Sequence, residues 1–118
     1  MTGSAVTRRA FAAANKDTVV HFVRALADAF RFIRDPANRP EVVRIVAERT
    51  GSSTQIAGDT LALYFEPEKG VLPRQAELNL RGLDQVIAFM GEGGALPAPL
   101  PPAARFVDLQ YLRAAGVE

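Results

Sequence analysis

The sequence contains no cysteine and a single histidine, His21, among its 118 residues. Disulfide bonds, thiolate zinc sites and cysteine nucleophiles are therefore excluded. A transition-metal site would need carboxylates from several elements around this histidine, and no spacing of acidic residues indicates such a set. The lack of cysteine does not identify the compartment, because it suits oxidising and reducing surroundings alike. We expect no metal and no other cofactor.

A strong net charge and a long apolar run are also missing. The 14 basic and 13 acidic residues nearly cancel, so the composition favours neither nucleic acid nor an anionic membrane as a partner. No run of about 18 apolar residues occurs, so we expect no membrane insertion. The length predicts one domain over residues 1–118.

The N-terminal residues do not form a convincing secretion signal. Arg8 and Arg9 precede only the six residues AFAAAN, a stretch too short for the apolar core of a signal peptide. Taken alone, this predicts either a protein that acts where it is made, in the cytoplasm, or a part of a longer chain whose signal lies elsewhere.

One long amphipathic segment, residues 16–34, dominates what the sequence does contain. Its apolar side chains recur every three or four positions, which predicts a helix with one buried side. Asn15 is placed to cap the first turn, and Pro36 disfavours a helical conformation at Asp35. The side predicted to be buried carries Val19, Val20, Phe22, Val23, Leu26, Phe30 and Ile33.

Shorter helices are predicted on the C-terminal side of this segment. Capping residues and apolar spacing place them at about 40–50, 54–65, 80–92 and 109–114. Gly51 and Gly116 are typical helix ends. The predicted caps are Asn38, Ser52 or Ser53, Asn79 and Asp108, and the third helix is predicted to bury Ile56, Thr60, Leu63 and Tyr64.

The remaining stretches predict loops and at most one strand. Val6 and Thr7 favour a short strand over residues 4–10, although residues 9–13 also suit a helical turn. Prolines and glycines predict a loop over 66–78 and an extended, non-helical segment over 95–104. That second segment suits a stiff connector better than a docking motif, because its nearest flanking basic residue is Arg105. The fold class is therefore mainly α, with about five helices and one optional N-terminal strand.

No catalytic constellation can be assembled from the candidate residues. His21 lies on the polar side of the long helix, where an exposed, weakly paired histidine is a simpler reading than a general base. Glu66 and Glu68 flank Pro67 without a visible partner. No serine lies in a GxSxG turn, and neither a lysine nor a helix start follows GEGG at 91–94. We therefore predict that the protein is not an enzyme.

Residues 46–61 resemble a helix-turn-helix, with Ala47 and Gly51 four positions apart. The recognition helix would be residues 54–64, which contain no lysine or arginine and carry Asp59. Phosphate contacts supply much of the affinity for DNA, so this helix is poorly equipped to bind it. The pattern predicts a helical hairpin, with a DNA-binding regulator as the alternative.

Several phrases together resemble one family of solute receptors. They are similar to the C-terminal part of the substrate-binding proteins of ABC importers for nitrate, sulfonates, taurine and thiamine precursors. No single phrase is specific, but their order spans about residues 6–116. The matching positions are Asn15 and Asp17 around Lys16, where the family often has proline, then Asp35–Arg39, Thr50 and Gly51, Leu78–Met90, Pro97–Pro102 and Phe106–Leu112.

The resemblance implies a role in uptake without catalysis. It implies the C-terminal part of a type II periplasmic-binding-protein α/β fold, a periplasmic or cell-surface location, and a small anionic or heterocyclic solute and a permease as partners. Most solute contacts would come from other parts of such a receptor. Within this sequence the candidate ligand-binding residues are Thr7 and Arg8, since an arginine suits a nitrate, sulfonate or carboxylate group.

A segment that covers a sheet in a larger protein would expose apolar side chains without it. Phe22, Phe30, Phe65 and Phe89 are the candidates for that surface. A large exposed apolar patch drives association, so we expect self-association or a partner chain. A free-standing helical interaction or regulatory domain is the alternative to the receptor.

Overall fold

A computed structural model describes residues 5–66, 70 and 73–117, and this part of the chain is mainly helical with no β-strand. The bounds of all five predicted helices are confirmed to within one residue, and a short helix precedes them. The described α-helices are α1 (Arg9–Ala14), α2 (Lys16–Arg34), α3 (Arg39–Thr50), α4 (Thr54–Tyr64), α5 (Leu80–Glu92) and α6 (Gln110–Ala115), with 3₁₀ turns at Pro36–Asn38 and Ala103–Arg105.

The optional N-terminal strand does not form in the described residues. Residues 5–8 lie in no strand, and α1 begins at Arg9. Arg8 does have extended backbone angles, with φ −74° and ψ 139°. A strand needs a neighbour for its backbone hydrogen bonds, and the described chain offers none, so these residues continue into a helix instead.

The long helix α2 is the element against which α1, α3 and α6 pack. Its contact with α6 builds the core, where Ala27 is fully buried and the guanidinium of Arg24 donates to the backbone carbonyl of Ala114 at 3.5 Å. The small Ala27 allows the two helices to approach closely. The buried cluster around this contact consists of Ala12, Val20, Ala27, Tyr111, Ala115 and Val117.

Helices α3 and α4 form the predicted hairpin. Gly51 ends α3 with a φ of 69°, a left-handed conformation that favours glycine. The hydroxyl of Ser53 then caps α4 by accepting from the backbone N–H of Ile56 at 3.2 Å. Two helices joined by so short a turn must lie side by side, and they bury their facing sides against each other.

The predicted buried side of α4 is wrong. Ile56 is 59% exposed and Leu63 68% exposed, and Tyr64 is exposed as well. Ala57 and Leu61, one helical turn apart, are buried instead. Apolar residues occur all around the last turns of this helix, so periodicity could not choose a side, and packing against α3 chose the side that carries the small alanine.

Two of the predicted helix caps are also wrong. Asn15 makes no capping bond to α2, because its side-chain amide donates to the carbonyl of Phe11 at 3.0 Å. Asn38 likewise donates to the carbonyl of Phe32 at 3.1 Å, while Asp35 accepts from the amide of Ala37 at 2.9 Å. In both places a helix has just ended, and the carbonyls of its last turn, which lack the full set of intrahelical partners, are within reach of the asparagine side-chain N–H.

Helix α5 stands apart from the other helices. Among the helices and turns of the described chain it packs only against the 3₁₀ turn Ala103–Arg105. As predicted, Asn79 caps α5, accepting from the amide of Gly82 at 2.8 Å. The carboxylate of Asp84 holds the returning chain by accepting from the amide of Ala103 at 3.1 Å.

This arrangement leaves the molecule open. Its radius of gyration is 16.9 Å, whereas a compact domain of this length has about 13.5 Å. Its accessible surface is 8641 Å², against about 6,200 Å² for a compact monomer of its mass. None of the helices in the described part of the chain combines the length and apolar character that crossing a bilayer requires.

Candidate functional site

The described residues form an open groove of about 580 Å³. One wall consists of residues 5–12 and the adjoining face of α2. The opposite wall consists of residues 78–83, at the start of α5. Residues 105–112 close one side. We call this feature the apolar groove, since most of the side chains that line it are aliphatic or aromatic.

The floor of the apolar groove is the outer side of the protein core. Tyr111 is buried there, and Val19, Val23 and Leu112 are half-buried beside it. These residues belong to α2 and α6, the two helices that pack most closely. The floor is therefore the closely packed part of the site.

The rim of the apolar groove projects outwards. Val6 is 90% exposed, and the three rings of Phe11, Phe22 and Phe106 are each exposed by at least half, at 50%, 56% and 57%. They come from three separate parts of the sequence, namely α1, α2 and the segment before α6. Phenylalanine favours burial, so three half-exposed rings around one groove mark a surface that lacks its covering partner.

The polar groups at one end of the groove are already paired. The guanidinium of Arg9 donates to the backbone carbonyl of Arg105 at 2.5 Å. The carboxylate of Asp108 accepts from the side chain of Gln110 at 2.7 Å and from its amide at 3.2 Å. These bonds, chiefly the first, and the nearby charge of Arg9 hold the pKa of the Asp108 carboxyl below its usual value.

The predicted ligand-binding residues lie at the edge of the groove. Thr7 lines it, and both Thr7 and Arg8 are exposed. Arg8 precedes α1, and its backbone carbonyl accepts from the amide of Ala12 at 3.0 Å. The structure thus brings Thr7 to the groove and leaves the Arg8 side chain in solvent beside it.

The other candidate residues are not brought together. His21 is exposed on α2, Glu66 is exposed after α4, and Glu68 lies outside the described residues. In the part of the chain that the structure describes, no group of three acidic or histidine side chains could hold a metal ion. The outer side of α4 carries Asp59, whose carboxylate accepts from the side-chain amide of Gln55 at 3.1 Å, and α4 itself contains no cationic side chain.

Three rim residues, Val6, Phe11 and Phe106, were not predicted from the sequence as site residues. No periodicity links them, because each comes from a different short segment. Of the four phenylalanines expected to be exposed, Phe22 is at the rim, and Phe89 is 75% exposed on α5. Phe30 and Phe65 are half-buried instead.

The partial burial of Phe65 has a specific cause. The guanidinium carbons of Arg39 and Arg34 lie 4.6 Å and 5.4 Å from the centre of its ring. Such cation–π contacts cover an aromatic ring without requiring another apolar residue. This cluster joins the end of α2, the start of α3 and the end of α4, so it holds the α3–α4 hairpin against the long helix.

Comparisons of this chain with models of known protein families, with curated proteins and with solved structures give no match. The geometry of the apolar groove and the phrases of the sequence are therefore the grounds on which a function can be proposed.

Proposed function

We propose that the chain is a non-catalytic helical component that works against another protein surface, as the C-terminal segment of a solute-binding protein of an ABC importer. One observation carries this proposal. The chain exposes about 2,400 Å² more surface than a compact monomer of its mass. A partner surface that covered this excess would bring the chain back to the exposure of an ordinary globular protein.

The composition of the exposed surface supports a protein partner. Besides the rim of the apolar groove, α4 exposes Ile56 and Leu63, and α5 exposes Phe89. Large apolar side chains that stand in solvent are stabilised when another protein covers them. Near-zero net charge also suits this role, since a nucleic-acid partner would call for a basic surface.

The receptor part of the proposal rests on the short sequence motifs that resemble the solute-receptor family, and on the turns that these motifs form. Asp35–Arg39 makes the turn between α2 and α3, where the Asp35 carboxylate caps the 3₁₀ turn. Thr50 and Gly51 make the turn between α3 and α4, where the Thr50 hydroxyl donates to the carbonyl of Val46 at 2.8 Å. In such a receptor these joints would orient the covering helices. The exposed Arg8 would offer a cation to a nitrate or sulfonate group.

A gene-deletion experiment tests the receptor proposal. Uptake of labelled nitrate, taurine, an alkanesulfonate and a thiamine-precursor pyrimidine would be measured in wild-type and deletion strains. We expect uptake of one of these solutes to fall and to return on complementation. Unchanged uptake of all four would contradict the receptor role. Cell fractionation of the complemented strain should find the protein in the periplasm or at the cell surface.

The role of Arg8 has its own test in the complete receptor. Arg8→Ala should weaken binding of an anionic solute by calorimetry, because it removes a cation that can pair with the anion. Arg24→Ala is the matched control, since Arg24 lies on α2 and its guanidinium donates to the Ala114 carbonyl. Equal affinities of wild type and Arg8→Ala would exclude Arg8 from solute binding.

A free-standing interaction domain is the second candidate, and the exposed aromatic rim of the groove favours it. In that case deletion would leave the uptake of all four solutes unchanged. A polar substitution in the rim, such as Phe22→Glu, should nevertheless abolish binding of the partner protein. The uptake and rim experiments together therefore separate the two candidates.

A further inference from the structure

We infer that the apolar groove binds a small amphipathic carboxylate, a molecule with an apolar body and one acidic head. Two observations carry the inference. The floor of the groove contains an unpaired hydroxyl group, and the charged residues that line the groove are positive on balance. The inference goes beyond the proposed function and does not rest on the receptor role, because it uses the groove residues alone.

The unpaired hydroxyl belongs to Tyr111. This side chain lines the groove and is only 9% exposed, yet its hydroxyl makes no hydrogen bond within the described part of the chain. A tyrosine this deeply buried usually has a protein partner for its O–H. The hydroxyl oxygen is not fully enclosed, so an oxygen atom of a ligand in the groove can accept from it instead.

The charge of the groove favours an acidic ligand. Among the described residues that line it, Arg9 and Arg105 are cationic, Asp108 is anionic and the others are uncharged. Within the described chain neither arginine forms an ion pair. The bond from Arg9 to the Arg105 carbonyl uses one N–H group of its guanidinium and leaves others to donate. Arginine N–H groups bind carboxylates strongly, so an acidic head is the complementary one.

The size and lining of the groove suit a small molecule. Its volume of about 580 Å³ falls within the range of about 300–1,000 Å³ that is typical of ligand sites. Such sites combine an apolar lining with a few polar groups. Here Val19, Val23 and Leu112 offer the apolar contact. A carboxylate head supplies both the acceptor that Tyr111 lacks and the negative charge that the arginines favour.

Calorimetry of the full chain with decanoate, below its micelle-forming concentration, tests the inference. We expect saturable binding. Decanol, which has the same apolar chain without the charge, should bind at least about tenfold more weakly, the factor that 1.4 kcal/mol produces. No saturable binding of decanoate would overturn the site, and equal affinities for the two ligands would overturn the acidic head. Binding to phosphatidylglycerol vesicles without binding to free decanoate would replace the small molecule by a membrane surface.

The role of the hydroxyl is tested by Tyr111→Phe, which removes one oxygen atom and keeps the ring. The affinity for decanoate should fall about tenfold, since a hydrogen bond to a charged group is lost. Tyr64→Phe is the matched control, because Tyr64 is the other tyrosine of the chain and is 43% exposed on α4. Equal affinities of Tyr111→Phe and wild type would exclude the hydroxyl as the partner of the ligand.

The role of the charge is tested by Arg9→Gln, with Arg9→Lys as the variant that keeps the charge. Arg9→Gln should weaken binding of decanoate and leave that of decanol unchanged, and Arg9→Lys should retain more of the decanoate affinity. Arg49→Gln, at an exposed position of α3, is the control and should bind both ligands as the wild type does. An equal loss of affinity for decanoate and decanol in Arg9→Gln would overturn the pairing with the head.

Tyrosine fluorescence places the ligand in the groove. In Tyr64→Phe the only tyrosine is Tyr111, and the chain contains no tryptophan. Its emission should change with added decanoate and saturate at the concentration found by calorimetry. Unchanged emission at saturation would overturn the groove as the site. Failure of this inference leaves the uptake experiment untouched, and unchanged uptake leaves decanoate binding untouched, so the two failures are distinguishable.

Discussion

Helices α2 and α5 have a similar amphipathic pattern in the sequence but very different surroundings in the structure. α2 is packed by three other helices, and Val20 and Ala27 lie in the core. α5 packs against one short 3₁₀ turn, where Ile87 is buried but Phe89 is 75% exposed. An apolar stripe therefore shows that a helix has a side to bury and does not show that this chain supplies the partner.

The difference also divides the apolar groove. Its floor and one wall belong to the packed region around α2 and α6, and the opposite wall begins α5. The two walls do not pack against each other, and this gap is the groove. Variants in the packed region should therefore affect the whole fold, and variants in α5 should act mainly on that wall.

The largest effect is expected for Tyr111→Ala, in the packed region. Tyr111 is a large buried side chain of α6 within the core cluster, and emptying such a site costs about 3–5 kcal/mol. Urea unfolding at a constant protein concentration measures the loss. Gln110→Ala, the exposed neighbour, is the control. Equal losses for both variants would show that the core does not lie between α2 and α6.

Ala27→Leu should come next, with a loss of about 2–3 kcal/mol from overpacking. Ala27 is 0% exposed where α2 meets α6, so three added carbons have no room. Ala25→Leu, on an exposed position of the same helix, adds the same atoms and should be neutral. A stable Ala27→Leu protein would mean that the two helices are not in close contact.

Ile87→Ala should cost less, about 2 kcal/mol, the low end of the range for emptying a buried site. Among the described helices and turns, α5 packs only against the 3₁₀ turn Ala103–Arg105, so the surroundings of Ile87 can close more easily over the vacated space. Phe89→Ala should change stability by no more than about 0.5 kcal/mol. Amide hydrogen exchange should also be faster in α5 than in α2. Equal exchange protection would contradict the comparison between the two helices.

Asn79→Ala removes the cap of α5 and should cost about 1 kcal/mol. The Asn79 side chain accepts from the amide of Gly82 at 2.8 Å, and alanine leaves that amide unpaired. Asn79→Asp keeps an acceptor and should retain most of the stability. If hydrogen exchange of the first backbone amides of α5 is no faster in Asn79→Ala than in the wild type, the cap does not stabilise the N-terminal end of this helix.

The smallest effect is expected for Glu77→Gln, in the loop before α5. Burial raises the pKa of Glu77, but the backbone amides of Arg74 and Gln75, each 2.7 Å from its carboxylate, outweigh this and lower it below 4.5. This stabilisation is present above about pH 4.5 and lost as the pH falls through the folded-state pKa. The wild type should thus lose more stability in acid than the variant, and superimposable acid transitions would exclude the effect.

The local structure of the chain could be predicted well because its causes are local. Helix bounds follow from capping groups and glycines, such as Ser53, Asn79 and Gly51, whose interactions lie within one or two turns. The errors at Asn15 and Asn38 arose because each had two possible partners, the helix behind it and the helix ahead. Whether an asparagine side chain bonds to the preceding or to the following helix depends on the path of the chain between the two helices.

The candidate site could be predicted only in part. The period of α2 placed Phe22 on the side predicted to be buried, and only the resemblance to a segment that covers a sheet predicted its exposure. Thr7 was a ligand-binding candidate on the same resemblance, and it lines the groove. The other groove residues, such as Phe11 and Phe106, lie almost 100 positions apart in the sequence, and no periodic pattern connects them. Their meeting depends on how α1 and the segment before α6 cross α2.

The sequence by itself determined the mainly helical class, the positions of the helices and the absence of cysteine chemistry, because these depend on residue type and on short-range hydrogen bonds. Only the tertiary structure decided which apolar sides became buried. α4 turned Ala57 and Leu61 inwards instead of Ile56 and Leu63, and α5 kept Phe89 in solvent. The physical reason is that burial needs a second surface, and hydrophobicity sets the gain from meeting one without specifying which surface it is.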